Sequence, residues 1–187
     1  MKIFDKYLYI LLLLLASYVF ASGCGYSFRA DGRPVGIDIS SLAIPLIESS
    51  SSDRGFESEF TAVLRNEFMS HGRVPLKDRN EAEMTLEGNI FEIDSQPLTY
   101  NSVQKSISGR VYTNETTSSR RLTLKLDIRL IENKTGKIVW RDNSMTEEES
   151  FSVTSDPLVN RHNRQEALKK IARLLSEKVY QKTMERF

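Results

Sequence analysis

The sequence predicts an α+β fold: a four-stranded mixed β-sheet with two helices packed on one face, in the order β-α-β-β-β-α. Three observations predict it. Two segments carry a single apolar stripe at helical spacing. Other segments alternate apolar and polar side chains with the period of a strand that is wet on one side. The first helical segment separates the first two strand candidates, and such a crossover makes them parallel neighbours, while the later strands pair antiparallel. A helix with one apolar stripe must bury it, and the sheet has one apolar face, so both helices belong there.

Ile37, Ile39, Leu42, Ile44, Leu46 and Ile47 form the first strand candidate. Pro45 lies inside that run and removes a ladder donor, which places the strand at an edge or bulges it. Ser49 to Ser52 is a polar loop. Asp53 to His71 reads as a helix. Its stripe is Phe56, Phe60, Val63, Leu64 and Phe68, with Asp53 suited to the N-cap and Gly72 to the stop. Met84, Leu86 and Ile90 then alternate with Glu83, Thr85, Glu87 and Asn89. Ile90-Phe91 breaks the alternation and predicts a bulge or a switch of face. Pro97 ends the regular part. Tyr100 to Ser119 is rich in Ser, Thr and Asn and reads as a long hairpin tip, flexible or poorly ordered. Leu122, Leu124, Leu126, Ile128 and Leu130 make the clearest strand. Asn133 to Gly136 is turn chemistry, and a return strand starts at Lys137 to Trp140. The last segment is a helix capped by Asp156 with Pro157 at its first position. Ala167, Leu168, Ile171, Leu174, Leu175 and Val179 form its buried stripe. Arg161, Arg164, Lys169, Lys170 and Arg173 occupy much of its remaining, solvent-facing surface.

The N-terminus sets the compartment. Lys2 and Lys6 precede an apolar run from Tyr7 to Phe20, and Ala21, Ser22 and Gly23 are small. Charge, then a short apolar stretch, then small residues is the layout of a cleaved export signal, here residues 1–23. At 14 residues the run is short for a spanning helix, which needs roughly 20; an uncleaved anchor is the alternative. Cys24 is the single cysteine, so an exported chain makes no internal disulfide with it. Ala21-Ser22-Gly23-Cys24 resembles the bacterial lipobox, although that pattern usually has Leu where Ala21 stands. The resemblance implies a triacylated Cys24 and stable membrane attachment, since two or more chains hold where one does not. Gly25, where an Asp would imply inner-membrane retention, points to the outer membrane. Residues 24–36 then read as a lipidated tether and 37–187 as one domain.

Removing the first 23 of 187 residues leaves 164, enough for one domain with a real core. The chain is 40% hydrophobic and 27% charged. Removing Lys2, Lys6 and Asp5 from 26 basic and 25 acidic side chains leaves 24 of each, so nothing general calls for nucleic acid as a partner.

Catalytic and metal-binding patterns are missing from the sequence. His71 and His162 have no metal-ligand spacing around them, and each reads as structural, His71 as a cation at a helix C-terminus. There is no nucleophile elbow, P-loop or dinucleotide glycine pattern. Glu147-Glu148-Glu149 reads as a solvated strand edge, because successive strand residues point to opposite faces. No catalytic residue, metal or cofactor is expected beyond the covalent lipid on Cys24. One candidate binding feature stands out: Lys105, Arg110, Arg120 and Arg121 lie in or beside the hydroxyl-rich tip. Cations and hydroxyls together suit a phosphate-bearing partner, and a solvated loop with incidental charge is the alternative.

At this point the chain resembles the LptE family, lipoprotein partners of the LptD barrel in lipopolysaccharide transport. Gly23-Cys24-Gly25-Tyr26-Ser27-Phe28 looks like that family's opening. Leu42-Ala43-Ile44-Pro45 looks like its first strand, and Phe56 to Phe68 with Gly72-Arg73-Val74 like its first helix and exit. Ala82 to Gly88 resembles its second strand, and Thr135 to Trp140 its hairpin, with the terminal helix after it. The resemblance implies a non-enzymatic plug inside the LptD barrel that assists barrel assembly, binds lipopolysaccharide through basic residues near loop tips, and is lipid-anchored at the outer membrane. A scaffold lipoprotein of another envelope or secretion complex is the alternative reading. Strand-helix-strand domains of that kind share the Ile-Pro strand and the helix after it.

Overall fold

The computed structural model describes residues 39–51, 55–107 and 110–184. The export signal, Cys24, the tether and Asp53 lie outside the described residues. All described residues belong to one compact unit.

The fold is α+β, with two helices and a mixed sheet among the described residues. The first strand candidate is two short strands, β1 (Leu42–Ala43) and β2 (Glu48–Ser49). Both pair parallel with β3 (Met84–Ile107), Leu42 opposite Met84 and Ser49 opposite Ile90. Pro45 is the reason for the split. Proline supplies no N–H, so the chain leaves the ladder there and rejoins it further on. The main-chain groups released are taken up by helix α1 (Glu57–His71). Arg65 donates to the Ile44 carbonyl through Nε at 2.8 Å and Nη2 at 2.5 Å. Thr61 Oγ1 accepts the Ile47 N–H at 3.0 Å and donates to the Glu57 carbonyl at 2.7 Å. A helix therefore completes what the proline interrupts.

Helix α1 starts later than its sequence predicts. Phe56 occupies the N-cap and offers no side-chain cap; Asp53, the expected cap, lies outside the described residues. The Glu57 carboxylate instead accepts the Gly55 N–H at 2.7 Å. Gly72 ends the helix as expected, with φ at 60° and its N–H donating to the Met69 carbonyl at 3.1 Å.

β3 runs antiparallel to β4 (Arg110–Glu132), which runs antiparallel to β5 (Ile138–Ser152); the sheet order is β1-β3-β4-β5 with β2 also on β3. The expected bulge is present, a register shift between Ile90 and Glu92 that leaves Phe91 unpaired. Two sequence expectations are corrected. Pro97 does not end the strand; it sits at a second register shift, opposite Arg120, and β3 continues to Ile107. The segment from Tyr100 to Ser119 is a ladder rather than a loop, its rungs running to Ile107 opposite Arg110. Bulges absorb the missing donor and the change of twist, so a proline inside an otherwise extended run stops it only locally.

Helix α2 (Pro157–Met184) begins as the sequence indicates, with Asp156 Oδ1 accepting the Leu158 N–H at 2.8 Å. It runs alongside α1 in the same direction. Tyr180 stacks on His71 with centroids 4.1 Å apart and meets Phe68 edge-on at 5.2 Å. The core joins α1 (Phe60, Leu64, Phe68), α2 (Ile171, Ala172, Leu175, Val179) and the strand positions Leu86, Ile90 and Leu122 to Leu130. Each fully buried Leu or Ile contributes roughly 1.5–3 kcal/mol relative to an exposed one.

Candidate functional site

The four sequence-predicted basic residues do not form one cluster. Arg110 is ten residues from Arg120 along β4, about 33 Å at strand rise. Lys105 and Arg110 belong to the far end of the β3–β4 ribbon, and their side chains lie outside the described part. Arg120 and Arg121 are at the ribbon's base on opposite faces of the sheet, as strand alternation requires. Arg121 pairs with Glu148 at 3.5 Å on the helix-free face.

That face is a lattice of opposite charges. Glu87 bridges Arg79 at 2.5 Å and Arg129 at 2.9 Å, Glu92 binds Lys125 at 2.9 Å, and Asp127 binds Arg141 at 2.6 Å. Glu147 and Glu149 face the other way. Glu149 pairs with Lys170 at 2.8 Å and Glu147 with Lys178, while Asp142 takes Lys182 at 2.6 Å. The glutamate run is thus divided between two faces and consumed by cations. Among the described residues no group of His, Cys, Asp and Glu is placed to hold a metal ion. His71 Nδ1 lies 2.9 Å from the Glu67 carbonyl at the end of α1, the structural position its sequence suggests.

Arg120 has a different setting. Its Nε donates to Ser95 Oγ at 3.0 Å and its Nη2 to the Ser95 carbonyl at 2.5 Å. Thus held, it lines an open cleft of about 530 Å³ between the middle of β3 and β4, the end of β5 and the start of α2. The helix contributes Pro157, Asn160, Arg161 and Arg164, and β5 with its exit contributes Phe151 and Val153. Among the described residues, three arginines and no carboxylate line this cleft. The apolar part of the lining, its rim, is Phe151, Val153 and Pro157. The arrangement is a cationic hollow with an apolar rim. Guanidinium groups bind phosphate bidentately, and the apolar rim suits the chain attached to it.

Sequence reasoning took Arg161 and Arg164 for plain solvent-facing surface. One signal was available: Pro157, Arg161 and Arg164 fall at i, i+4 and i+7, one face of the helix.

Residues 39–183 match the family model LptE, described as lipopolysaccharide-assembly. The chain belongs to the LptE family. No curated protein matches. Among solved structures, an uncharacterized lipoprotein B from Nitrosomonas europaea is similar at TM-score 0.52 and 13% identity, covering 86% of this chain and 90% of that one. A protein from Xanthomonas campestris is similar at TM-score 0.55 and 10% identity, covering 77% and 83%. The rare lipoprotein B from Shewanella oneidensis has TM-score 0.46 and 12% identity, covering 75% and 92%. At these identities the first two structures bear on the fold alone, and the family model bears on lipopolysaccharide assembly.

Proposed function

We propose that this LptE-family chain is an outer-membrane lipoprotein, cleaved before Cys24 and acylated there. In this reading it serves as plug and assembly partner of the LptD β-barrel and binds lipopolysaccharide on the way to the cell surface. The observation that carries the reading is a cleft lined by three arginines with an apolar rim, on a domain whose family is described as lipopolysaccharide-assembly. Phosphates on the glycolipid meet Arg120, Arg161 and Arg164, and its acyl portion meets the apolar rim. The balanced, ion-paired sheet face suits the polar lumen of a barrel, where a large apolar surface would not.

The test is capture of lipopolysaccharide by the purified lipidated protein. Arg161→Glu with Arg164→Glu lowers retention about tenfold or more, as expected when two charge-assisted contacts become repulsions, while melting stays unchanged. Arg121→Glu, on the opposite face, leaves binding intact. Equal binding by all variants would remove the cleft from the account. Incorporation of labelled palmitate, lost in Cys24→Ser, tests the anchor, and co-purification with a large outer-membrane barrel tests the partnership.

A further inference from the structure

We infer that Ser95 is the positioning residue of the arginine cleft. It takes one edge of the Arg120 guanidinium and leaves the other edge, with its charge uncompensated, for a single phosphate group carrying two open oxygens. This rests on the phosphate-binding reading proposed above and adds which residue sets the geometry and how the phosphate is held.

Strand parity makes Ser95 available. The Val153 N–H donates to the Ser118 carbonyl at 2.9 Å. By alternation the even positions of β4, Arg120 and Leu122 among them, turn their main-chain groups to β5, and the odd positions turn theirs to β3. Asp94 and Gln96, opposite Thr123 and Arg121, complete that second ladder, while Ser95, opposite Leu122, turns its carbonyl away from β4. β2 ends at Ser49, opposite Ile90, so no strand among the described residues takes this carbonyl. Arg120 takes it, with Nη2 donating to the Ser95 carbonyl at 2.5 Å and Nε to Ser95 Oγ at 3.0 Å.

Both partners are neutral, and that separates Arg120 from its neighbours. Arg121, Arg129 and Arg141 on the helix-free face each meet a carboxylate. Alternation sends Asp94, the acid next to Ser95 in the chain, to that same face, where it accepts from Gln96 at 2.9 Å. Arg120 is therefore fixed in direction and keeps its charge. A guanidinium has two edges that each match a pair of oxygens, Nε with Nη2 and Nη1 with Nη2. Ser95 fills the first edge with its hydroxyl and carbonyl. The second edge remains, and it fits two oxygens on one phosphorus. Arg65 marks the contrast: it also donates Nε and Nη2 to a neutral acceptor, the Ile44 carbonyl, but the hollow it lines holds Asp78 and Glu81. The helix wall of the Arg120 cleft is set as firmly as the strand wall. Asn160 Oδ1 accepts the Thr154 N–H at 2.7 Å and its Nδ2 donates to the Thr154 carbonyl at 2.9 Å. Walls fixed before the ligand arrives lower the ordering cost of binding.

The experiment measures the affinity of the full-length protein for purified lipopolysaccharide and for the same glycolipid with its phosphates removed. Ser95→Ala weakens binding of the phosphorylated form about five- to tenfold, the worth of one hydrogen bond to a charged group, and leaves the dephosphorylated form unaffected. Ser95→Thr, which keeps the hydroxyl, restores the affinity. Arg120→Lys, which keeps the charge without the fork, falls with Ser95→Ala rather than with wild type. Ser95→Ala adds no further loss to Arg120→Gln, because the serine acts through the arginine. Melting temperature checks that each variant is folded; if Ser95→Ala lowers it, the comparison of Arg120→Lys with wild type decides. Wild-type affinity in Ser95→Ala or in Arg120→Lys, an equal loss for both glycolipids, or additive losses with Arg120→Gln overturns the inference. The cleft itself then still stands on the loss in Arg161→Glu with Arg164→Glu. If that double change is silent too, both readings fall.

Discussion

At the scale of single residues, the positions that matter most are those where the backbone asks for something unusual. Gly88 is one. A Cβ there would lie 3.2 Å from the Asp127 carbonyl oxygen of β4 and 3.2 Å from Ile47 Cδ1 in the β1–β2 connection, which both pass close to β3. We expect Gly88→Ala to cost about 1–3 kcal/mol through overpacking, measured by urea denaturation. Thr61 is another: Thr61→Val removes the acceptor of the buried Ile47 N–H and costs about 1–3 kcal/mol, while Thr61→Ser restores most of it. Asp142 gives a pH signature. The hydrogen bond from Lys182 holds its carboxyl below the usual carboxylate range. A carboxyl depressed in the folded state adds stability above its unfolded pKa of about 3.8, and that stability is lost as pH falls through the folded value. Asp142→Asn should therefore flatten the acid limb of the stability curve and leave the neutral-pH slope unchanged, with melting temperature against pH as the measurement.

Elements show where sequence pattern sufficed and where it did not. The strand from Leu122 to Leu130 and the two helices were legible because a period of 2 or 3.6 is imposed by burial alone, and each of those leucines is fully buried in the structure. Pro97 and the ribbon beyond it were not. Their signal was composition, and hydroxyl-rich residues favour loops only when nothing else supplies hydrogen bonds; here β3 and β4 supply them to each other. The arginine cleft was half legible. Arg120 drew attention, but Arg161 and Arg164 are forty residues further on, and only the fold brings the start of α2 against the end of β5. The spatial partnership of a strand end and a helix start has no period to reveal it.

For the molecule as a whole, the buried core and the projecting ribbon are separable. Among the described residues the core runs from Ile39 to Ile93 and from Leu122 to Met184, with no described ribbon residue between them in it. Replacing 99–118 by a short turn should leave the thermal midpoint within about 4 °C of wild type, because little apolar burial is lost. A large drop in melting temperature would show that the ribbon stabilises the domain it projects from.

The length of β3 also makes the protein a ruler. Its 24 residues at about 3.3 Å each reach roughly 70–80 Å, against roughly 40–45 Å for a bilayer with its headgroups. The chain enters beside Met84 at one end, where Ser40 is moored to Glu83, and β3 and β4 turn at the other. A molecule fastened at its foot to one surface of a membrane and threaded through a pore would present its far tip beyond the opposite surface. Shortening the strands by a few rungs would then act on how far it extends, with the fold itself unchanged.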